Sequence, residues 1–191
     1  MILPILAYGD PVLKKVAGDV DKNYPGLDKL IADMFDTMYN AKGVGLAAPQ
    51  VGKTIRLFII DTRPFAEDEE HQDDEKLKTF KKIFINARIL EEEGEVWPFK
   101  EGCLSIPKIR EEVRRMPKLR IRYADETFRI HEEEYEGLIA RVIQHEYDHI
   151  DGKLFVDRIN PLRKRLLKGK LMDISRGRIE VDYKMKFPLT K

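Results

Sequence analysis

Apolar residues recur in this chain with two different periods. Leu27, Leu30, Ile31, Met34, Phe35 and Met38 follow steps of three and four, which predicts an amphipathic helix that stops before Lys42-Gly43. Leu138, Val142, His145 and His149 form a second helical series, with Ile139, Ile143, Glu146 and Ile150 beside it. Gly152 is the residue type most often found just past a helix end, so the spacing predicts a helix over about 135–151. Short β-branched runs predict strands at 55–60 and 83–90, and Glu91-Glu92-Glu93-Gly94 reads as a turn after them. Residues 118–124 and 127–131 predict a hairpin about Asp125-Glu126 that runs into the second helix. Asn160-Pro161 offers an N-cap and a first-turn proline for a last helix. In 178–187, Ile179, Val181, Tyr183, Met185 and Phe187 alternate with Glu180, Asp182, Lys184 and Lys186, which predicts a half-buried strand. The first 25 residues give turn signals and little else. This order predicts an α+β fold, mainly antiparallel strands packed around a central metal-binding helix, in a single domain over 1–191 with an acidic insertion at 62–80.

Charge narrows the classes of partner. The chain carries 35 basic against 34 acidic residues, a balance that gives no global pull toward nucleic acid or an anionic membrane. No apolar stretch approaches the length of a membrane span, and the N-terminus lacks the basic region of a signal peptide, so a soluble cytoplasmic protein is expected. Seven acids within 67–75 predict a solvated loop, where His71 is a poor candidate for a ligand. Arg163, Lys164, Arg165, Lys168 and Lys170 predict a solvated helix face, with transient contact to the ribosome as the lesser reading and no stable binding of nucleic acid. The lone cysteine, Cys103, cannot form an internal disulfide and fits a reducing compartment.

The second helix carries chemistry. His145-Glu146-Tyr147-Asp148-His149 is an H-E-x-x-H pattern: two imidazoles one turn apart can reach one metal ion, and Glu146 leans toward whatever water that ion binds. A catalytic ion needs a further protein ligand. A metzincin would have histidine at position 155, where this chain has Phe155, and that class fails. A thermolysin-like site needs a downstream glutamate, and the first is Glu180 inside the predicted last strand, which weakens that class. Cys103 is the remaining strong candidate, since thiolate suits Zn²⁺ or Fe²⁺. The small-residue segment 43–52 reads, taken alone, as a glycine-rich turn; it also permits close approach of a substrate backbone, with Gln50 as an amide donor.

Three blocks in order, Gly43 to Gln50 (G-φ-G-φ-A-A-x-Q), Glu101 to Ser105 (E-G-C-L-S) and Gln144 to Gly152 (Q-H-E-x-D-H-x-x-G), resemble the peptide deformylases. The resemblance extends to Gly-Asp-Pro-Val-Leu at 9–13 and covers most of 5–160. It implies an enzyme that removes the formyl group from N-formylmethionyl nascent chains. It further implies that Cys103, His145 and His149 hold one divalent ion, usually Fe²⁺, with Ni²⁺, Co²⁺ or Zn²⁺ able to replace it. On that reading Glu146 is the general base, and Gln50 and the Leu104 N–H meet the oxyanion. Val44, Gly45 and Leu46 would align the substrate backbone as an added strand, and Val142 would help line the methionine pocket. Glu101, Gln144 and Asp148 are expected to orient ligands or to pair with an arginine of the 110–115 region.

Overall fold

The computed structural model describes residues 1–67 and 74–190. The strands are β1 (Ile5–Leu6), β2 (Gly45–Ala47), β3 (Leu57–Asp61), β4 (Lys81–Glu93), β5 (Trp97–Cys103), β6 (Ile106–Arg115), β7 (Lys118–Ala124), β8 (Ile130–Glu136) and β9 (Met185–Lys186). The helices are α1 (Leu27–Asn40), α2 (Arg63–Ala66), α3 (Glu75–Thr79), α4 (Gly137–Ile150), α5 (Pro161–Leu166) and α6 (Lys168–Ser175). Strands β2-β3-β4-β7-β8 form one antiparallel sheet, β5 and β6 a separate antiparallel hairpin, and β1 and β9 a short parallel pair. The expected mixture of helices with mainly antiparallel strands is present.

Strand β3 explains how two helices share one sheet. Leu57 and Ile59 join the cluster containing Leu30, Ile31, Met34 and Met38 of α1, whereas Phe58 and Ile60 join the cluster containing Ile139, Ala140 and Ile143 of α4. Successive side chains of a strand point to opposite faces, so a strand covered on both sides must be apolar without interruption. All four residues are fully buried, each contributing roughly 1.5–3 kcal/mol relative to exposure. From Ile139 to Ile150 only His145 and Tyr147 keep partial exposure, which makes α4 the central helix of the fold.

The helix ends are set by glycine. Tyr135 and Glu136, predicted to begin α4, instead close β8 opposite Leu119 and Lys118, and the chain turns into the helix at Gly137 with φ 63°. Past the other end, Gly152 takes φ 71°, and a Cβ there would lie 2.6 Å from Lys14 O, so the position rejects any side chain twice over.

Several predicted boundaries move for identifiable reasons. Strand β4 continues through Glu91, Glu92 and Glu93, predicted as a turn, because Arg120, Leu119 and Lys118 pair with them. The predicted hairpin exists, but its second strand begins at Ile130: the Asp125 carboxylate accepts from the N–H groups of Thr127 and Arg129 and holds 125–129 as a turn. Segment 43–52 is not a plain turn, since Gly45–Ala47 is a strand followed by a 3-10 turn at Ala48–Val51. The last helix breaks at the buried Leu167 into α5 and α6. The predicted strand over 178–187 shrinks to Met185–Lys186. Burial still alternates as its sequence requires, but the ladder partner is the two-residue β1. Helices α2 and α3 flank the acidic run; Glu67, Asp74 and Glu75 are exposed, and the rest of the expected 67–75 loop, His71 included, lies outside the described residues. Among the described residues no helix is long and apolar enough to cross a membrane.

Candidate metal centre

Helix α4 carries His145 and His149 one turn apart, their rings 5.2 Å between centroids and inclined at 76°. Cys103 comes from the end of β5, and its Sγ lies 3.3 Å from His149 Nε2. One ligand atom from each of the three residues falls within 4.8 Å of the others, and this is the one such triad among the described residues. Phe155, at the position a metzincin would give to histidine, is fully buried and stacks on the His145 ring at 6.2 Å and 27°.

A chain of buried charges fixes the first histidine. Glu101 Oε2 lies 2.9 Å from His145 Nδ1, which leaves Nε2 to face the site. The Glu101 carboxylate also accepts from Arg115 Nε at 2.6 Å and Nη2 at 2.9 Å, and from Arg141 Nη1 at 3.0 Å. Arg115 Nη1 reaches Asp148 Oδ2 at 2.8 Å, and Arg158 Nη2 donates to Asp148 Oδ1 at 2.6 Å. The hairpin β5–β6 is thereby joined to α4 by ions, whereas the large sheet meets α4 through apolar packing and one hydrogen bond, from Gln144 to Glu92. Burial works to raise the Glu101 pKa, but Arg115 and His145 outweigh it and hold the carboxyl far below its ordinary range. Burial likewise disfavours a charge on both rings; at His145, Cys103 and Glu101 overcome it and the pKa rises, while His149 falls well below the imidazole norm.

Gln50 stands on the other side of Cys103. Its Oε1 accepts from Ala47 N at 2.9 Å, so its Nε2 must face inward, 3.2 Å from Ser105 Oγ and 3.5 Å from Cys103 Sγ. Glu146 is 4% exposed, and its Oε2 has no hydrogen-bond partner among the described residues. Burial raises this carboxyl to about 7, with Glu101 and Asp148 adding to the effect and His145 and Arg115 opposing it. A soft sulfur ligand and two imidazoles could together hold a metal ion, with an outward carboxylate partner on one imidazole and an unpartnered buried acid beside them.

The Polypeptide deformylase family model matches residues 2–165. A peptide deformylase of Christiangramia forsetii is 61% identical, covering 100% of this chain and 98% of its own, and one of Flavobacterium johnsoniae is 57% identical with the same coverage. The chain belongs to the peptide deformylases. A crystal structure of a deformylase from Legionella pneumophila superposes with a TM-score of 0.77 at 38% identity, covering 93% of this chain and 98% of that one. The family removes the formyl group from N-terminal methionine and depends on a metal.

Glu101 meets His145 and Arg115, and Asp148 meets Arg115, as the sequence suggested. Gln144 does neither, because its amide turns away to Glu92 Oε1 at 2.8 Å and Met116 O at 3.1 Å. The sequence reasoning missed Arg141, Arg158 and Ser105. Arg141 had a signal, since an arginine between Ala140 and Val142 in an apolar helical run must find a buried counter-charge. Val142 is buried in the cluster against which Val44 packs, whereas Leu46 belongs to the cluster on the α1 side. The basic face of α5 is partly neutralised, Arg163 pairing with Glu111 and Lys164 with Asp157.

Proposed function

We propose that Cys103, His145 and His149 hold one divalent ion, Fe²⁺ by family likeness with Ni²⁺, Co²⁺ or Zn²⁺ as substitutes, and that the surrounding side chains deformylate N-formylmethionyl peptides in the cytoplasm. The observation that carries this reading is the pairing of a fixed amide donor, Gln50 Nε2, with an unpartnered acid, Glu146 Oε2, about the same triad. When bound, the ion supplies Lewis acidity, bringing the pKa of water from about 15.7 toward 7 and polarising the formyl oxygen.

The chain's own residues do the rest. Water adds to the formyl carbon while Glu146 Oε2 takes its proton; the C–N bond then breaks and the same proton passes to the amine nitrogen, leaving a free N-terminal amine and formic acid, which gives its remaining acid proton to the amine to become formate. Buried and with Oε2 unpartnered, the carboxyl is free both to accept and to return that proton. Gln50 Nε2 and the Leu104 N–H meet the developing oxyanion, each donor worth about 2.7–4 kcal/mol in sites of this kind. Strand β2 is the edge of its sheet, bonded to β3 alone, so Val44, Gly45 and Leu46 offer a free edge to an extended substrate. Val142, one turn before Glu146, helps to line the pocket for the methionine side chain. The same reading takes 1–191 as one catalytic domain.

Glu146→Ala tests the assignment. It is expected to retain the ion and to lose about 10²- to 10⁴-fold in turnover of formyl-Met-Ala. Near-normal turnover would end the general-base role, and equal cleavage of blocked peptides lacking formyl would favour a metallopeptidase instead.

A further inference from the structure

Residues 176–190 lie beyond the stretch that matches the family model, yet they return to the metal centre. Strand β9 is anchored along β1: Ile5 N donates to Lys184 O and Ala7 N to Lys186 O, each at 2.9 Å, and Leu189 N donates to Ser175 O at 3.0 Å. Two residues before β9, Tyr183 sends its hydroxyl to Leu104 O at 2.8 Å. The next carbonyl, Ser105 O, accepts from Tyr8 N at 2.8 Å, and Ser105 Oγ accepts from Gln50 Nε2 at 3.2 Å.

These bonds converge on one small piece of backbone. Cys103 pairs with Ile106 at the tip of the β5–β6 hairpin, so Leu104 and Ser105 form the two-residue turn that closes it, beyond a register shift at Gly102. Such a tip can rock about its own φ and ψ unless other segments hold it. Here one carbonyl is held by Tyr183 and the other by Tyr8, from opposite ends of the sequence. The peptide so gripped follows the Leu104 N–H and adjoins the Cys103 thiolate.

We infer that Tyr183 is a positioning residue for deformylation: its hydroxyl, acting through Leu104 O, sets the direction in which the Leu104 N–H points. The inference rests on the proposed role of that N–H. It adds to the reaction a residue from a segment outside the family match. The ring of Tyr183 also packs beside the α1 cluster, so a purely structural role would survive loss of the hydroxyl.

The test is Tyr183→Phe, which keeps the ring and removes the bond. With Fe²⁺- or Co²⁺-loaded protein and formyl-Met-Ala, kcat should fall about tenfold with KM within about twofold and the metal content unchanged. Amide exchange at Ile106, paired with Cys103 where the tip begins, should quicken about tenfold while the amides of α4 keep their protection. Asp182→Ala, which removes only the exposed Lys42–Asp182 pair on the neighbouring residue, should match the parent in both measurements. A kcat within twofold of the parent overturns the inference, as does unchanged exchange at Ile106 or loss of protection throughout α4. A parent protein that fails to deformylate would instead sink the underlying reading, while the exchange comparison would still decide whether Tyr183 fixes the tip.

Discussion

A Cβ on Gly45 would stand 2.4 Å from Oε1 of Glu146 and 2.7 Å from its Cδ. The edge strand and the buried acid are therefore fitted to one another, and the glycine is required by close approach, not by a turn. Gly45→Ala is expected to push the carboxylate aside by about an ångström, lowering kcat about 100-fold with the metal retained. Steady-state kinetics beside metal analysis measures both, and a variant with parental kcat would show that the carboxylate tolerates the shift.

Removal of Arg115 leaves Glu101 and Asp148, each about 5% exposed or less, without their shared cation. Stranding buried carboxylates costs about 3–5 kcal/mol, and Arg141 and Arg158 keep Arg115→Met near the lower end. Urea denaturation at pH 7 should show a lower midpoint with an unchanged slope. Arg163→Ala, which breaks an exposed pair with Glu111, should stay within about 1 kcal/mol of the parent. Equal effects from the two variants would contradict the account of the buried network.

Two substitutions separate a ligand from its support. Glu101→Gln weakens the partner that orients His145 and should lower metal affinity about 10- to 100-fold. Cys103→Ser removes a donor atom outright and should lower it further, with the greatest loss for Zn²⁺ and Fe²⁺. Competition with a chelator gives both values; a serine variant that binds as tightly as the parent would remove Cys103 from the ligand set.

Asp61 makes stability depend on pH far from the metal. Burial would raise its pKa, but Arg63 and the Tyr39 hydroxyl outweigh it and hold the carboxyl at about 2 against an ordinary 3.8. Between those values the unfolded chain binds more protons than the folded one, so this contribution is fully present above about pH 4 and is lost as pH falls through about 2. Asp61→Asn should cost about 1–2 kcal/mol at pH 7, and the gap from the parent should close below pH 3. A gap in Tm that stays constant from pH 7 to pH 2.5 would show that the carboxylate charge contributes nothing.

Helix α4 and its histidines were legible because the apolar stripe and the chemical motif share one period, and α1 because nothing interrupts its steps of three and four. The hairpin β5–β6 was not predicted as strands. Its inward positions include Glu101 and Arg115, buried ions that erase the alternation a half-buried strand should show. Tyr183 was read as one more apolar member of an alternating run, and its burial obeys that reading. What its hydroxyl meets depends on a pairing between opposite ends of the sequence, which periodicity does not encode. The triad depended on the same kind of distant contact, and the recurrence of three motifs in order supplied what spacing alone did not.

The β1–β9 pair has a consequence for synthesis. Ile5 waits for Met185, so the closing of this ladder spans nearly the whole chain and carries the largest loop-closure cost of any strand pairing in the fold. All three side chains of the candidate metal triad have been made by residue 149, well before Tyr183 exists. A chain still being translated thus holds its cysteine and imidazoles while the Leu104 carbonyl beside them still lacks its bond from Tyr183, and that side of the hairpin tip is fastened only when β9 docks.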